Sequence, residues 1–419
     1  MHTEERKWFA GIDWGTETHH AFVSDDRGQK LGEKAFPHSG EGLVAMQDYI
    51  LSLTKSTPDK VFVAIEVPHG PVVESLMERG FRLHSINPKQ LDRFRDRFSP
   101  AGAKDDSRDA EVLSSGLRTD PHCFRPLAPL DPIVIELREW SRIGEDLTAE
   151  RNRLSNRLRQ QLWRYYPQML ELTDDIAAGW LLELWALVPT PDKAKRIRED
   201  TISRLLKRRR IRRLDVAQLL ASLRQPAMVV AAGTVEAATG HIKVLAKQLE
   251  LVNRQIAEAE QQLDRLTERL AGSEADEPGQ KTEQRDVTIL RSLPGVGRIV
   301  LATLLAEAWD LLQRRDYHGL RCLCGVAPVT KRSGKSKLVH RRLAIHWRLA
   351  NAVHHWSRVA IQHDPTSRAK YAALRQRGHG HARALRSVAD RLLAVACAML
   401  EGQTIFDPQR VQQRAINVA

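Results

Sequence analysis

The sequence predicts an α/β amino-terminal domain, a long helical coiled-coil middle and a mainly α carboxy-terminal domain. Three observations carry this reading. Strand-like and helix-like runs alternate from residue 8 to about residue 90 after an opening set of three strands. Apolar residues from Ile242 to Leu270 step by three and four without a break. Beyond residue 286, helical patterns are interrupted only by a glycine-rich turn and a basic loop. The expected boundaries are 1–130, 131–280 and 281–405, with 406–419 as a tail.

At 419 residues the chain can form two or three domains with cores of their own. Lys and Arg number 65 against 52 Asp and Glu, a net charge of +13 that suits a polyanionic partner, nucleic acid before a membrane surface. The segment "MHTEERKW" has no apolar core, so it reads as neither signal nor transit peptide. No uncharged stretch approaches a membrane span. The expectation is a soluble cytoplasmic protein, associated with the nucleoid and not with a membrane. Cys123, Cys322, Cys324 and Cys397 are too few for a disulfide scaffold, and "LRCLCGV" lacks a second pair of zinc ligands, so all four read as structural.

In the first domain, "WFAGIDWG", "THHAFVSDD" and "QKLGEKAFPHS" read as consecutive strands. "EGLVAMQDYILSLTK" places Leu43, Met46, Ile50 and Leu53 on one helical face. "KVFVAIEVP" is β-branched and nearly continuously apolar, as expected of a parallel strand covered on both sides. A helix capped by Gly80 and a strand ending at Asn87-Pro88 follow. This order fits an RNase-H-like fold and equally an actin-like subdomain.

The acids separate the two. Asp13 and Glu66 close two predicted strands, where an open α/β sheet collects ligand-binding residues. Asp106 and Asp109 lie three residues apart at the start of the next helix, hence on one face. Such like charges cost a few tenths of a kcal/mol, roughly, unless something compensates them. Mg²⁺, which takes carboxylate oxygens together with phosphate, would do so in a two-metal site. Each acid also has a structural reading: Asp13 as a turn residue, Glu66 paired with Arg79 or Arg82, and Asp106 and Asp109 favoured by a helix start. As a set they favour the metal site. An actin-like ATPase would need further glycine-rich nucleotide loops, and the sequence has none, nor a Walker-type loop.

The middle is helical. Leu137, Trp140, Leu147, Leu154, Leu158 and Leu162 share a face up to Pro167. Ile242, Leu245, Leu249, Val252, Ile256, Ala259, Leu263, Leu266 and Leu270 form a heptad seam, which implies a coiled coil within the chain or between chains; self-association to a dimer or tetramer is favoured. The basic run from Arg204 to Arg213 reads equally as a nucleic-acid contact or a solvated helix. "AGSEADEPGQKTEQ" reads as a linker.

In the last domain, Leu293-Pro294-Gly295-Val296-Gly297 between two helices is a helix-hairpin-helix signal, in which Gly295 and Gly297 let backbone N–H groups approach DNA phosphates. From Lys331 to Arg386 there are fourteen Lys or Arg, seven His and one acid, Asp364. Such a surface suits a phosphate backbone, with Lys331, Arg332, Lys335 and Lys337 as candidate contacts. Ser333 lies among them, as a phosphate contact or as a nucleophile attacking a DNA phosphate.

"GIDWGTETH", "AIEVP", "KDDSRDAE", "LPGVGRIVLATLLAE", "CGVAPVTKRSGKSK", "YAALRQRG" and "ADRLLAVACAML", in this order, resemble the DEDD transposases of the insertion-sequence-110 family over residues 8–125 and 286–402. The resemblance implies a RuvC-like amino-terminal domain and a carboxy-terminal transposase domain that recombine a mobile element, guided by a structured RNA from the element's end. It implies Asp13, Glu66, Asp106 and Asp109 as Mg²⁺ ligands, and Ser333, in cis or from a partner protomer, as the nucleophile forming a phosphoserine link to DNA. After Lys337 the sequence departs from the family pattern, with "LVHRRLAIHWRLANAVHHW" where a basic-Gly-Asn stretch is expected. The runner-up readings are a metal-dependent junction resolvase or nuclease, in which Ser333 only binds phosphate, and a non-catalytic nucleic-acid-binding scaffold.

Overall fold

The structure, a computed structural model, describes residues 7–98, 105–129, 131–272, 282–334 and 336–408. It divides into two compact units that meet in sequence at Leu130 and Asp131.

The first unit is built on a six-stranded sheet in the order β3-β2-β1-β4-β5-β6. Its strands are β1 (Trp8–Trp14), β2 (Thr18–Ser24), β3 (Lys30–Pro37), β4 (Val61–Ile65), β5 (Arg82–Ser85) and β6 (Arg125–Pro126). β1, β4 and β5 run parallel to their neighbours in that trio, and β2, β3 and β6 are antiparallel additions. The helices are α1 (Gly40–Thr54), α2 (Pro71–Glu78), α3 (Pro88–Arg95) and α4 (Asp106–Thr119). The side-chain period of two sorts each strand between two cores. Ala10, Ile12, Val61, Val63 and Ile65 pack with Met46, Ile50, Val72 and Leu76 on the side of α1 and α2. Phe9, Phe62 and Ala64 pack with Leu91, Val112, Leu113 and Leu117 on the side of α3 and α4. Each such fully buried aliphatic side chain contributes about 2 kcal/mol. β6, two residues long, was not expected from the sequence; it is too short to leave a periodic pattern.

α4 lies directly on β1. A Cβ on Gly11 would stand 1.9 Å from the Ala110 carbonyl oxygen and 2.6 Å from the Ser114 nitrogen, so only glycine permits this approach. The Ser114 hydroxyl donates to the Phe9 carbonyl at 3.3 Å.

In the second unit α5 (Pro132–Tyr165) packs along α10 (Thr234–Ala271). The pairing is antiparallel: Arg269 meets Glu136 at 3.6 Å, Gly144 faces Ala259, and Arg151 Nε donates to Asn253 at 2.7 Å. Ile242, Leu245, Leu249 and Val252 share a core with Leu154, Leu158 and Leu162. The heptad seam is therefore covered within the chain, and the expectation that this seam joins copies is corrected: its apolar stripe is already spent on α5. A heptad specifies a partner helix but not whose helix it is.

Between these long helices lie α6 (Gly179–Leu187), α7 (Pro191–Arg196), α8 (Glu199–Arg208) and α9 (Val216–Leu223). The basic run is partly used inside this unit. Arg208 and Arg209 pair with Glu183, and Arg213 donates to the Leu172 carbonyl at 2.7 Å. The expected linker at 271–284 falls mostly outside the described residues.

The chain ends in α11 (Thr282–Ser292), α12 (Arg298–Gln313), α13 (Tyr317–Leu323), the hairpin β7 (Val329–Ser333) and β8 (Ser336–His340), α14 (Trp347–His363), α15 (Pro365–Gln376) and α16 (His381–Glu401). No described helix is long and apolar enough to cross a membrane.

Candidate active site and nucleic-acid interface

The register of the first sheet brings two of the expected acids side by side. Ile12 pairs with Ile65 across parallel β1 and β4, so Asp13 and Glu66 are the next residues of the two neighbouring segments, Asp13 within β1 and Glu66 just past the end of β4. Adjacent strands lie about 4.8 Å apart. Asp13 follows Phe9 and Gly11 onto the α4 side of the sheet, and Glu66 follows Phe62 and Ala64 onto the same side.

α4 supplies the other pair. Ser114 contacts Phe9 and Ala110 contacts Gly11, so the helix runs antiparallel to β1. Four helical residues advance about 6 Å and two strand residues about 7 Å, so Asp106 comes level with Asp13. Asp106 is exposed, whereas Asp109 is 1% exposed.

The buried Asp109 has a partner that the sequence reading missed. Arg95, at the end of α3, donates from Nε to one Asp109 oxygen at 2.5 Å and from Nη2 to the other at 2.9 Å. It also bonds Asp92. Burial works against the Arg95 charge, but its hydrogen bonds to Asp109 and the charges of Asp109, Asp92 and Glu66 outweigh that and raise its pKa. The Glu66 charge thus also acts on Arg95. The partners proposed for Glu66 from sequence are engaged elsewhere: Arg79 pairs with Asp48 and Arg82 lies over the Phe62 ring.

Glu33 on β3 is a second acid the sequence reading passed over. It accepts from Lys30 and from the Ser107 hydroxyl of α4, and these bonds lower its pKa to about 2. His20, directly across from Asp13, lies 3.6 Å from Glu33. The start of α4 is tied to the sheet on one side by Glu33 and to α3 on the other by Arg95.

The donor set suits a hard divalent cation in chemistry: all are carboxylate oxygens, sharing one side of the sheet. As it stands, no group of three or more Asp, Glu, His or Cys among the described residues is arranged to hold an ion. Both oxygens of Asp109 are committed to Arg95. Asp109 fits as a ligand only once Arg95 releases it, while Asp13 and Glu66 fit by strand position and face.

Ser333 ends β7 and pairs with Ser336 across the tip of the hairpin, with Gly334 at φ +54° turning the chain. The strand from Thr330 to Ser333 is exposed, as is all of β8. Two strands without a third are marginal in water, so this ribbon projects as an arm. Lys331 shares a face with Ser333, and Arg332 and Lys337 lie directly opposite one another on the other face. Like charges across a ladder destabilise it, and an approaching polyanion would relieve them. Lys335 lies outside the described residues.

The two glycines of the expected helix-hairpin-helix differ. Gly295 has φ +82°, and a Cβ there would meet the Ala360 nitrogen at 2.9 Å and the Trp356 carbonyl at 3.2 Å; Trp356 Nε1 donates to the Pro294 carbonyl at 2.8 Å. The packing of α14 by itself requires a glycine here, whatever its backbone N–H meets. Gly297 caps α12, is exposed and has no neighbour that a Cβ would meet.

Residues 10–167 match the transposase family DEDD_Tnp_IS110, and residues 287–372 match the transposase IS116/IS110/IS902 family. The chain is 30% identical over 415 residues to a protein of the IS117 mini-circle of Streptomyces coelicolor, covering 96% of each. It is 29% identical over 417 residues to a protein of insertion element IS110 from the same organism, covering 97% of this chain and 96% of that one. A Sinorhizobium fredii relative, y4uE, is 64% identical over 214 residues, a match that takes in 51% of this chain and 60% of the relative.

Proposed function

This chain belongs to the IS110 family of transposases, and on that premise we propose that it cuts and joins DNA strands at the ends of its mobile element, with Ser333 as nucleophile and a structured RNA of the element as guide. The observation that supports this reading best is the placement of Asp13 near the end of β1 and of Glu66 just past the end of neighbouring parallel β4, beside the helix that bears Asp106 and Asp109.

Those four acids would hold Mg²⁺, which supplies charge stabilisation at the phosphate under attack. The chain's own residues do the rest. Arg95 holds Asp109 in place, and on release its fork suits a phosphate oxygen pair. Ser333 Oγ forms a bond to phosphorus as the bond from phosphorus to a deoxyribose oxygen breaks; the serine proton leaves to solvent and the departing oxygen takes one up. Lys331, on the same face of the arm, offsets charge on the phosphate. Assembly of more than one copy would use surfaces other than the α10 seam.

DNA spanning the flanks of the gene, incubated with the purified protein, RNA transcribed from those flanks and Mg²⁺, tests this. A covalent protein–DNA adduct resistant to denaturation is expected, lost in both Ser333→Ala and Asp13→Asn. A metal-dependent nuclease or junction resolvase is the second reading, favoured by the open exposure of Ser333. It predicts strand cleavage without an adduct, lost in Asp13→Asn but kept in Ser333→Ala.

A further inference from the structure

Two adjoining clefts in the carboxy-terminal unit, with volumes of about 470 and 370 Å³, take in the stretch after Lys337 that departs from the family pattern. Arg341 and Arg386 line both. Arg383 and His379 complete the larger, and Trp347, Asn351 and His354 line the smaller.

The larger cleft is cationic without internal compensation. Among the described residues, Arg341, Arg383 and Arg386 form no ion pair with a carboxylate, although the same unit pairs Arg315, Arg321 and Arg348 with acids. Asp390, the one acid lining either cleft, is already taken by Arg321, at 2.9 and 2.7 Å, and by the Tyr317 hydroxyl at 3.0 Å. Burial first, then the charges of Arg341 and Arg383, lower the pKa of Arg386. Arg383 and Arg386 also stand in the first two turns of α16, where the helix dipole is positive, acids are favoured and the first turn has none. His379 Nδ1 is buried without a hydrogen-bond partner.

Cations packed together at the positive end of a helix are placed for an anion that arrives from outside. Guanidinium forks select an oxyanion such as a phosphodiester. The smaller cleft adds what a bare phosphate does not need: Trp347, an indole that is 61% exposed, and Asn351, whose amide both donates and accepts. A ring and an amide beside a phosphate site match an unstacked base.

We propose that these clefts hold one unpaired nucleotide of the nucleic acid on which the protein acts, its phosphate among Arg341, Arg383 and Arg386 and its base against Trp347 with Asn351 at its edge. This rests on the reading of the chain as a transposase and adds to it a nucleotide subsite. Stacking on Trp347 tolerates any base, while Asn351 supplies selectivity.

Fluorescence anisotropy of the full chain with labelled oligo-dT, oligo-rU and a blunt duplex of equal length tests this. Trp347→Ala is expected to weaken single-strand binding about ten-fold and leave duplex binding unchanged. Arg383→Met, at an exposed position, and Arg386→Met are each expected to weaken it and to flatten the dependence of log K on log salt by about 0.7. Arg386→Met is also expected to raise the Tm without nucleic acid, because it removes a crowded cation. Preference for oligo-dT assigns the subsite to displaced DNA, and preference for oligo-rU to RNA. Variants that bind single strands as the unaltered protein does, or that lose single strands and duplex equally, overturn the subsite and leave the transposase reading standing. Absence of all binding by the unaltered protein overturns both.

Discussion

In the amino-terminal unit a buried carboxylate, Asp109, has both oxygens met by Arg95; in the carboxy-terminal unit Arg386, crowded by Arg341 and Arg383, has no carboxylate partner among the described residues. Both units concentrate one sign of charge where a polyanionic substrate would be worked upon. The first brings its own counter-charge and can fold around it. The second leaves Arg341, Arg383 and Arg386 without a carboxylate among the described residues, and the exposed Arg332 and Lys337 sit opposite each other on the arm. On the proposed reading, the acid edge would exchange an internal partner for an external one. The basic surface is a site that only gains.

This contrast can be broken or sharpened by substitution. The largest effect is expected for Arg95→Met, which leaves Asp109 buried and unpaired at a cost of about 3 kcal/mol of stability, read by urea unfolding of the intact chain. Added Mg²⁺ should raise the unfolding midpoint of this variant more than that of the unaltered protein. Equal shifts would sever Arg95 from any metal role. Gly295→Ala follows at about 2 kcal/mol, because its Cβ strikes the α14 backbone in a positive-φ position; if stability holds and only DNA binding falls, the packing account is wrong.

A smaller effect lies in pH. The pKa of Glu33 is lowered to about 2, so the stability it contributes is fully present above its unfolded value, about 4.5, and fades as pH falls from there toward 2. Glu33→Gln should lose that portion of the acid dependence, seen in unfolding midpoints measured across the window. An unchanged profile would detach Glu33 from Lys30 and Ser107. Smallest is Arg332→Thr, expected to change stability by a few tenths of a kcal/mol in the favourable direction while lowering the salt slope of nucleic-acid binding by about one. A loss of stability would show the ribbon's cations to be supporting rather than straining it.

The strands β1 to β5 and their order along the chain were legible because period-two burial and a two-sided apolar strand leave direct marks on the sequence. Arg95 was not legible: its bond to Asp109 joins residues fourteen apart across the end of one helix and the start of another, and no spacing rule reports such a contact. The heptad seam was legible as a seam, but α5, nearly a hundred residues earlier, was not identifiable as its cover. Gly295 was legible as a glycine that matters, yet its reason lies in α14, which no local pattern around residue 295 contains. The cationic clefts join residues from 341, 354 and 386, where the sequence displayed only abundance of charge.

The contact of α4 with β1 at Gly11 has one more consequence. With no side chain between the helix and the strand, the gap separating Asp13 from the acids of α4 is set by the thickness of two peptide backbones. Repacking of the surrounding core through apolar residues of similar size would leave that gap in place, so the spacing behaves as a machined dimension that replacement of this glycine would reset.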